Sequence, residues 1–190
     1  MNKIENLITA YMNGYFPMAD AITNEIYFYS PSNRAIFPIF NIKTPRSLKQ
    51  YIKKNTITTT INKNFPFIIN ACANRKNTWI SDEIIDLYIK LHKCGIAHSI
   101  ESWYDGQIVG GLYGVSIGGA FFGESMYSNI SNASKVAFYF LIEHLKKKRF
   151  ELLDSQFINE HTKLLGAIEV SREEYLKKLK YAIKLERFFM

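Results

Sequence analysis

The sequence predicts an α+β fold: a mixed, largely antiparallel sheet flanked by helices, with a small α/β lobe at its N-terminus. Three observations predict it. Asp105-Gly106 and Gly118-Gly119 punctuate the run from Ile96 to Met126 as hairpin turns do, which makes that run an antiparallel meander. Stretches before and after it carry apolar residues at helical spacing. Residues 16–45, by contrast, are short aromatic segments broken by Pro17, Pro31, Pro38 and Pro45.

The elements follow in order. Ile4, Leu7, Ile8 and Tyr11 share one helical face, and Gly14 ends that helix. After the aromatic strands, Leu48, Tyr51 and Ile52 form the apolar stripe of a short helix ringed by Arg46, Lys49, Lys53 and Lys54. Residues 1–60 therefore read as a small N-terminal lobe and 61–190 as one larger domain. Within the latter, residues 62–73 make a turn leading into a helix. Ser81 caps the next helix, with Asp82 and Glu83 in its first turn, Lys90, His92 and Lys93 in its last, and Gly95 beyond. After the meander, Val136, Ala137, Phe140, Leu141 and Leu145 mark a helix from about Ser131 to Lys148. A strand FELLDSQ, a short helix ending near Gly166, and a last helix begun by Ser171 and Glu174 at capping-box spacing complete the chain. A hairpin-built sheet that continues through strand–helix–strand is similar to the layout of acyl-CoA N-acetyltransferase-like domains, a likeness of fold and not of function.

A chain of 190 residues can bury one sizeable core, and 47% apolar with 15% aromatic content excludes a disordered polymer. The net charge of +7 favours a polyanionic partner, although a lysine-rich coat on a neutral enzyme would give the same number. No apolar run reaches the ~20 residues of a membrane span. Glu5 and Asn13 interrupt the stretch that a secretion signal keeps apolar, so a cytoplasmic protein is expected. Cys72 and Cys94 lack metal-type spacing and read as reduced thiols.

Some motifs carry little. VGGLYG lacks the spacing of a dinucleotide loop and leads into a strand; its glycines fit close backbone approach within the sheet. GESMYS has Tyr127 where a nucleophile elbow needs its last glycine. His98 and His161 read as hydrogen-bonded structural residues. Asp154 and Gln156 are more informative. They lie two apart in LLDSQF, so on a strand both point to one face, although a strand end entering solvent accounts for them as well. Glu124 is a carboxylate in the aromatic, Gly-rich strand AFFGESMYS, where it must sit at an edge or be partnered, because a buried unpaired charge is costly.

Ten segments in sequence order resemble the bacterial leucyl/phenylalanyl-tRNA–protein transferase family: GYFPM (14–18), YSPSNRA (29–35), CANRKNTWI (72–80), HSIESW (98–103), VGGLYG (109–114), GESMYS (123–128), NASK (132–135), LLDSQ (152–156), HTKLLGA (161–167) and SREEYLKKL (171–179). They span the chain from about Leu7 to Leu179. The chain starts close to GYFPM, without the upstream Gly-Gly-Asp-Leu-like segment of many relatives, and Tyr29 stands where Trp is common.

The resemblance implies an aminoacyltransferase that moves Leu or Phe, and also Met, from aminoacyl-tRNA to the N-terminal Lys or Arg of acceptor proteins, marking them for N-degron proteolysis. It implies no cofactor and no metal, and a monomer is expected. Asp154, Gln156 and Glu124 would be the catalytic residues: Gln156 orienting the acceptor amine, Asp154 polarising Gln156, and Glu124 holding the cationic acceptor. By the family match, Leu112, Met126, Phe138 and Leu153 would line the aminoacyl pocket, with Trp79 and Tyr29 against the 3′-adenosine or closing the pocket. Contacts to the tRNA would come from Arg46, Lys49, Lys53, Lys54, Arg75 and Lys76. The run from Lys146 to Arg149 reads instead as favourable charge at a helix C-terminus. Two alternatives are an acyl-CoA-dependent N-acyltransferase, against which the glycine-free turn SNISNAS speaks, and a non-catalytic RNA-binding protein.

Overall fold

The computed structural model describes residues 3–75 and 78–190. Helix α1 (Lys3–Met12) leads into a two-stranded hairpin, β1 (Phe16–Ala19) and β2 (Ile26–Tyr29), in which Phe16 faces Tyr29. Strand β3 (Asn33–Phe37), helix α2 (Arg46–Lys54) and strand β4 (Thr58–Ile61) follow. Helices α3 (Phe65–Ala73) and α4 (Asp82–Lys93) precede the meander β5 (Ala97–Tyr104), β6 (Gln107–Ile117) and β7 (Ala120–Ser128). The chain then runs through α5 (Ala133–Lys147), β8 (Leu152–Gln156), α6 (Glu160–Leu164), β9 (Ile168–Ser171) and α7 (Arg172–Ala182).

Seven strands form one sheet in the order β4-β5-β6-β7-β8-β3-β9. All neighbouring pairs are antiparallel except β7 and β8, which are parallel because α5 carries the chain back across the sheet between them. The mixed, mostly antiparallel sheet flanked by helices is therefore as the sequence predicts. The lobe boundary expected at residue 60 does not divide the sheet, however: β3 lies between β8 and β9, and β4 forms the far edge against β5. β3, β4 and β9 are four to five residues long, too short to show a period, and their partners lie far away in sequence.

Alternation along the strands supplies a core on each face. Tyr113, Val115 and Phe122 pack with Leu7 and Tyr11 of α1, Phe65 and Ile68 of α3, Ile84 and Tyr88 of α4, and Tyr175 and Leu179 of α7. Leu112, Phe121 and Leu153 face the other way, against Leu48 of α2 and Val136, Phe138, Leu141 and Leu145 of α5. The glycines of β6 are there for proximity: a Cβ on Gly110 would lie 2.6 Å from that of Ala133, and one on Gly111 would lie 2.6 Å from the Ile100 carbonyl oxygen. Ser81 and Ser171 cap α4 and α7 by accepting from the N–H groups of Ile84 and Glu174. Among the described residues no helix is long and apolar enough to cross a membrane.

Candidate active site

The site is built where β7 and β8 part. Their parallel pairing runs from Ala120↔Leu152 to Phe122↔Asp154. Beyond that point each strand carries a bulge on its other side. On β7, Tyr113 pairs Ser125 and Gly114 pairs Gly123, which leaves Glu124 as the extra residue. On β8, Ala35 pairs Gln156 and Ile36 pairs Asp154, which leaves Ser155 as the extra one. Bulges bend strands and re-aim side chains. Two of them, facing each other across the parting strands, open a cavity of about 300 Å3.

One wall of the cavity is apolar: Phe37, Leu112, Met126, Phe138, Leu141 and Leu153, with Phe37 and Phe138 in ring contact at 4.7 Å. Met18, Trp79 and Arg75 close another side, and Asn159, His161 and Thr162 of α6 and its cap a third. Arg75 is braced rather than loose: its Nε donates to the Cys72 carbonyl at 2.7 Å and its Nη2 to the Ser125 hydroxyl.

The floor is polar and buried. Glu124 is 9% exposed; its Oε1 accepts from the Tyr11 hydroxyl at 2.7 Å and from Gln156 Nε2 at 3.0 Å. The Tyr11 and Tyr88 hydroxyls are hydrogen-bonded to each other beside it. Burial pushes Glu124 up to about 7; its hydrogen bonds from Tyr11, Gln156 and Tyr88 pull the other way, and Asp154 adds a smaller upward push. Its Oε2 and the Tyr113 hydroxyl are buried with no partner among the described residues. Asp154, fully buried, is gripped by Arg34: Nε to Oδ1 at 2.9 Å and Nη2 to Oδ2 at 2.6 Å. Tyr175 donates to Oδ2 at 2.7 Å, and the Gln156 backbone N–H to Oδ1 at 2.8 Å. Burial alone would lower the Arg34 pKa, but the Asp154 charge and hydrogen bonds outweigh it, so the guanidinium sits above its ordinary value.

The expected residues are thus partly reunited. Asp154, Gln156 and Glu124 meet at the cavity, and Leu112, Met126, Phe138, Leu153 and Trp79 line it. Tyr29 does not line it: it is 41% exposed on β2, paired across the hairpin with Phe16. The link expected between Asp154 and the Gln156 side chain is also corrected. The Gln156 amide reaches Glu124, while Asp154 holds only the Gln156 backbone, because both its oxygens are taken by Arg34 and Tyr175. Arg75 stands at the cavity, and Arg46, Lys49, Lys53 and Lys54 are exposed on α2, outside its lining. Lys76 lies outside the described residues. Of the two histidines expected to be structural, His98 is, bonding Asn62 and Ser116; His161 is not, being exposed at the cavity with no side-chain hydrogen bond among the described residues. Sequence reasoning missed Tyr11, Tyr88, Arg34 and Tyr175. Arg34 left a signal, a lone cation in the apolar strand NRAIF, which a buried carboxylate elsewhere must answer.

Such a cavity can hold a small apolar side chain next to groups that accept from an amine, the requirements of an acyl-transfer site with a nitrogen acceptor. A family model described as leucyl/phenylalanyl-tRNA protein transferase matches residues 36–180, and one described as the N-terminal domain of that transferase matches residues 3–32. The leucyl/phenylalanyl-tRNA–protein transferase of Pelodictyon phaeoclathratiforme is 47% identical over 194 residues, covering 100% of both chains. That of Gloeobacter violaceus is 47% identical over 181 residues, 95% of this chain and 94% of the relative. A solved structure of L-PGS from Bacillus licheniformis, 12% identical, covers 85% of this chain and 55% of its own with a TM-score of 0.47, a likeness too slight to add to the fold. The chain belongs to the leucyl/phenylalanyl-tRNA–protein transferase family and is an aminoacyltransferase. Membership disfavours both alternatives, the acyl-CoA-dependent enzyme and the non-catalytic RNA-binding protein.

Proposed function

We propose that the chain moves leucine or phenylalanine, and also methionine, from aminoacyl-tRNA to the N-terminal Lys or Arg of acceptor proteins in the cytoplasm, committing them to N-degron proteolysis. The observation that carries the reading is the placement of Gln156 and Glu124 side by side against an apolar cavity of about 300 Å3. Leu112, Met126, Phe138 and Leu153 take the aminoacyl side chain, and Trp79 the adenosine next to it. Such a wall separates methylene-sized differences by only ~1–3 kcal/mol, so several apolar donors are used.

The donor ester is already activated, and the chemistry is proton management. The acceptor amine, with an ordinary pKa of ~8, arrives largely as ammonium. Gln156 Nε2 is turned to Glu124, which leaves Oε1 to accept from the amine and orient it. Glu124, poised near 7, takes the ammonium proton. The neutral nitrogen then attacks the ester carbonyl carbon; the bond to the ribose oxygen breaks, and that oxygen leaves with the proton the nitrogen sheds. Asp154 stands outside this path, since its oxygens are engaged by Arg34, Tyr175 and the Gln156 backbone. The exposed cations of α2 and Arg75 draw in the tRNA.

We also assign the sheet to the acyl-CoA N-acetyltransferase-like layout, a reading supported by one parallel pair that parts at the site within an otherwise antiparallel sheet. A monomer is part of the same proposal. Incubation with Phe-tRNA, Leu-tRNA or acetyl-CoA and a peptide with N-terminal Arg tests the reading. The peptide should gain a phenylalanyl or leucyl residue by mass; acetylation, or tRNA binding without transfer, overturns it.

A further inference from the structure

Arg34 is 1% exposed and spends its whole guanidinium inside the protein. It lies between the rings of Phe16 and Tyr175, 4.5 Å from each centroid. Besides its two bonds to Asp154, its Nη1 donates to the Gly14 carbonyl at 3.1 Å. Four of the segments quoted above, from GYFPM to SREEYLKKL, thus converge on one side chain. The end of this chain of contacts is the bond from the Gln156 N–H to Asp154 Oδ1 at 2.8 Å. Gln156 has a φ of 63°, the left-handed region, which a non-glycine residue keeps only where its surroundings impose it. Other non-glycine residues with positive φ, such as Asn24 and Asp105, sit in turns; Gln156 ends a strand that lines the cavity.

We propose that Arg34 and Tyr175 are positioning residues for the transfer: they fix Asp154, and Asp154, through the Gln156 N–H, fixes the left-handed turn that aims the Gln156 amide at Glu124 and the cavity. The inference rests on the function proposed above, in which Gln156 touches the acceptor amine. Asp154 then touches no substrate. Its work is on a backbone dihedral, and the bulge at Ser155 is where that work is needed.

Tyr175→Phe removes one hydrogen bond from Asp154 and keeps the ring against Arg34, so the fold is retained. Arg34→Lys is the stronger variant, because an ammonium cannot replace the two-pronged grip. Single-turnover transfer from Phe-tRNA to an Arg-peptide is followed for each, alone and combined with Gln156→Ala. The rate of the bound complex falls roughly ten-fold for Tyr175→Phe and further for Arg34→Lys, while the affinity for Phe-tRNA is unchanged. In the Gln156→Ala background neither substitution lowers the rate further, since the group they position is gone. Independent, multiplicative losses in the double variants overturn the proposal, as does a loss that merely follows the folded fraction. Should Arg34→Lys not fold, the Tyr175→Phe cycle decides alone. Wild-type protein that transfers no phenylalanine overturns the underlying function instead.

Discussion

The floor of the cleft and the outer face of α2 both concentrate charge, but on opposite terms. On the floor, Arg34 is matched atom for atom to Asp154, capped by two aromatic rings and sealed from water. On α2, Arg46, Lys49, Lys53 and Lys54 are exposed, and none of the ion pairs among the described residues involves them. Burial converts charge into geometry, because an unmatched ion there is too costly to tolerate. Exposure keeps charge as a long-range attraction, weak per residue, blunted by salt and indifferent to exact placement. A reaction that positions two reactants needs the first kind; capture of a large polyanion needs only the second.

The sharpest way to break the contrast is to delete one arginine from each region. Arg34→Ala strands Asp154 in the core and should cost ~3–5 kcal/mol of stability, read by denaturant or thermal melting. Arg46→Ala should stay within ~0.5 kcal/mol of wild type. Similar losses from both would dissolve the distinction.

Glu124 offers the next test, through pH. Its folded value of about 7 lies above the ordinary 4.5, so between those values the folded protein binds more proton than the unfolded chain, and the stability from this group is lost as pH rises through that window. His98, held near 4 by burial, with small pushes from His92 and His144, acts in the opposite sense up to 6.5. It is common to wild type and Glu124→Gln, so it cancels in their difference. Melting at pH 5 and pH 8 should show Glu124→Gln gaining on wild type by up to ~3 kcal/mol as pH rises. Transfer by wild type should climb with a midpoint near 7, whereas Glu124→Gln should be slower and climb only with the amine's own pKa of ~8. The smallest effect belongs to α2. Lys49→Ala with Lys53→Ala should leave melting unchanged, weaken tRNA binding, and lower the slope of log affinity against log salt by about two.

Legibility in the sequence divides along the same line. The exposed cations of α2 were readable because a short amphipathic helix declares its own faces. The meander was readable from two turns, and the apolar wall from the family resemblance. The floor was readable only in pieces. Asp154 and Gln156 stand two apart, and strict alternation would give both side chains one role, but a bulge and a positive φ give them different ones. Arg34 meets Asp154 across 120 residues, Tyr11 meets Glu124 across 113, and no local pattern announces contacts of that range. Tyr29 failed for a related reason: the hairpin carrying it pairs β1 with β2 alone, so its place relative to the cavity depends on packing between separate sheets.

The hydroxyl of Tyr175 has a consequence for how the protein is made. It reaches Asp154 from the last helix, while β3, which carries Arg34, is clasped on its other side by β9. A ribosome must therefore deliver nearly the entire polypeptide before the carboxylate has all its partners. Chains released early, or trimmed within α7, would carry Glu124 and Gln156 without the Tyr175 bond to Asp154.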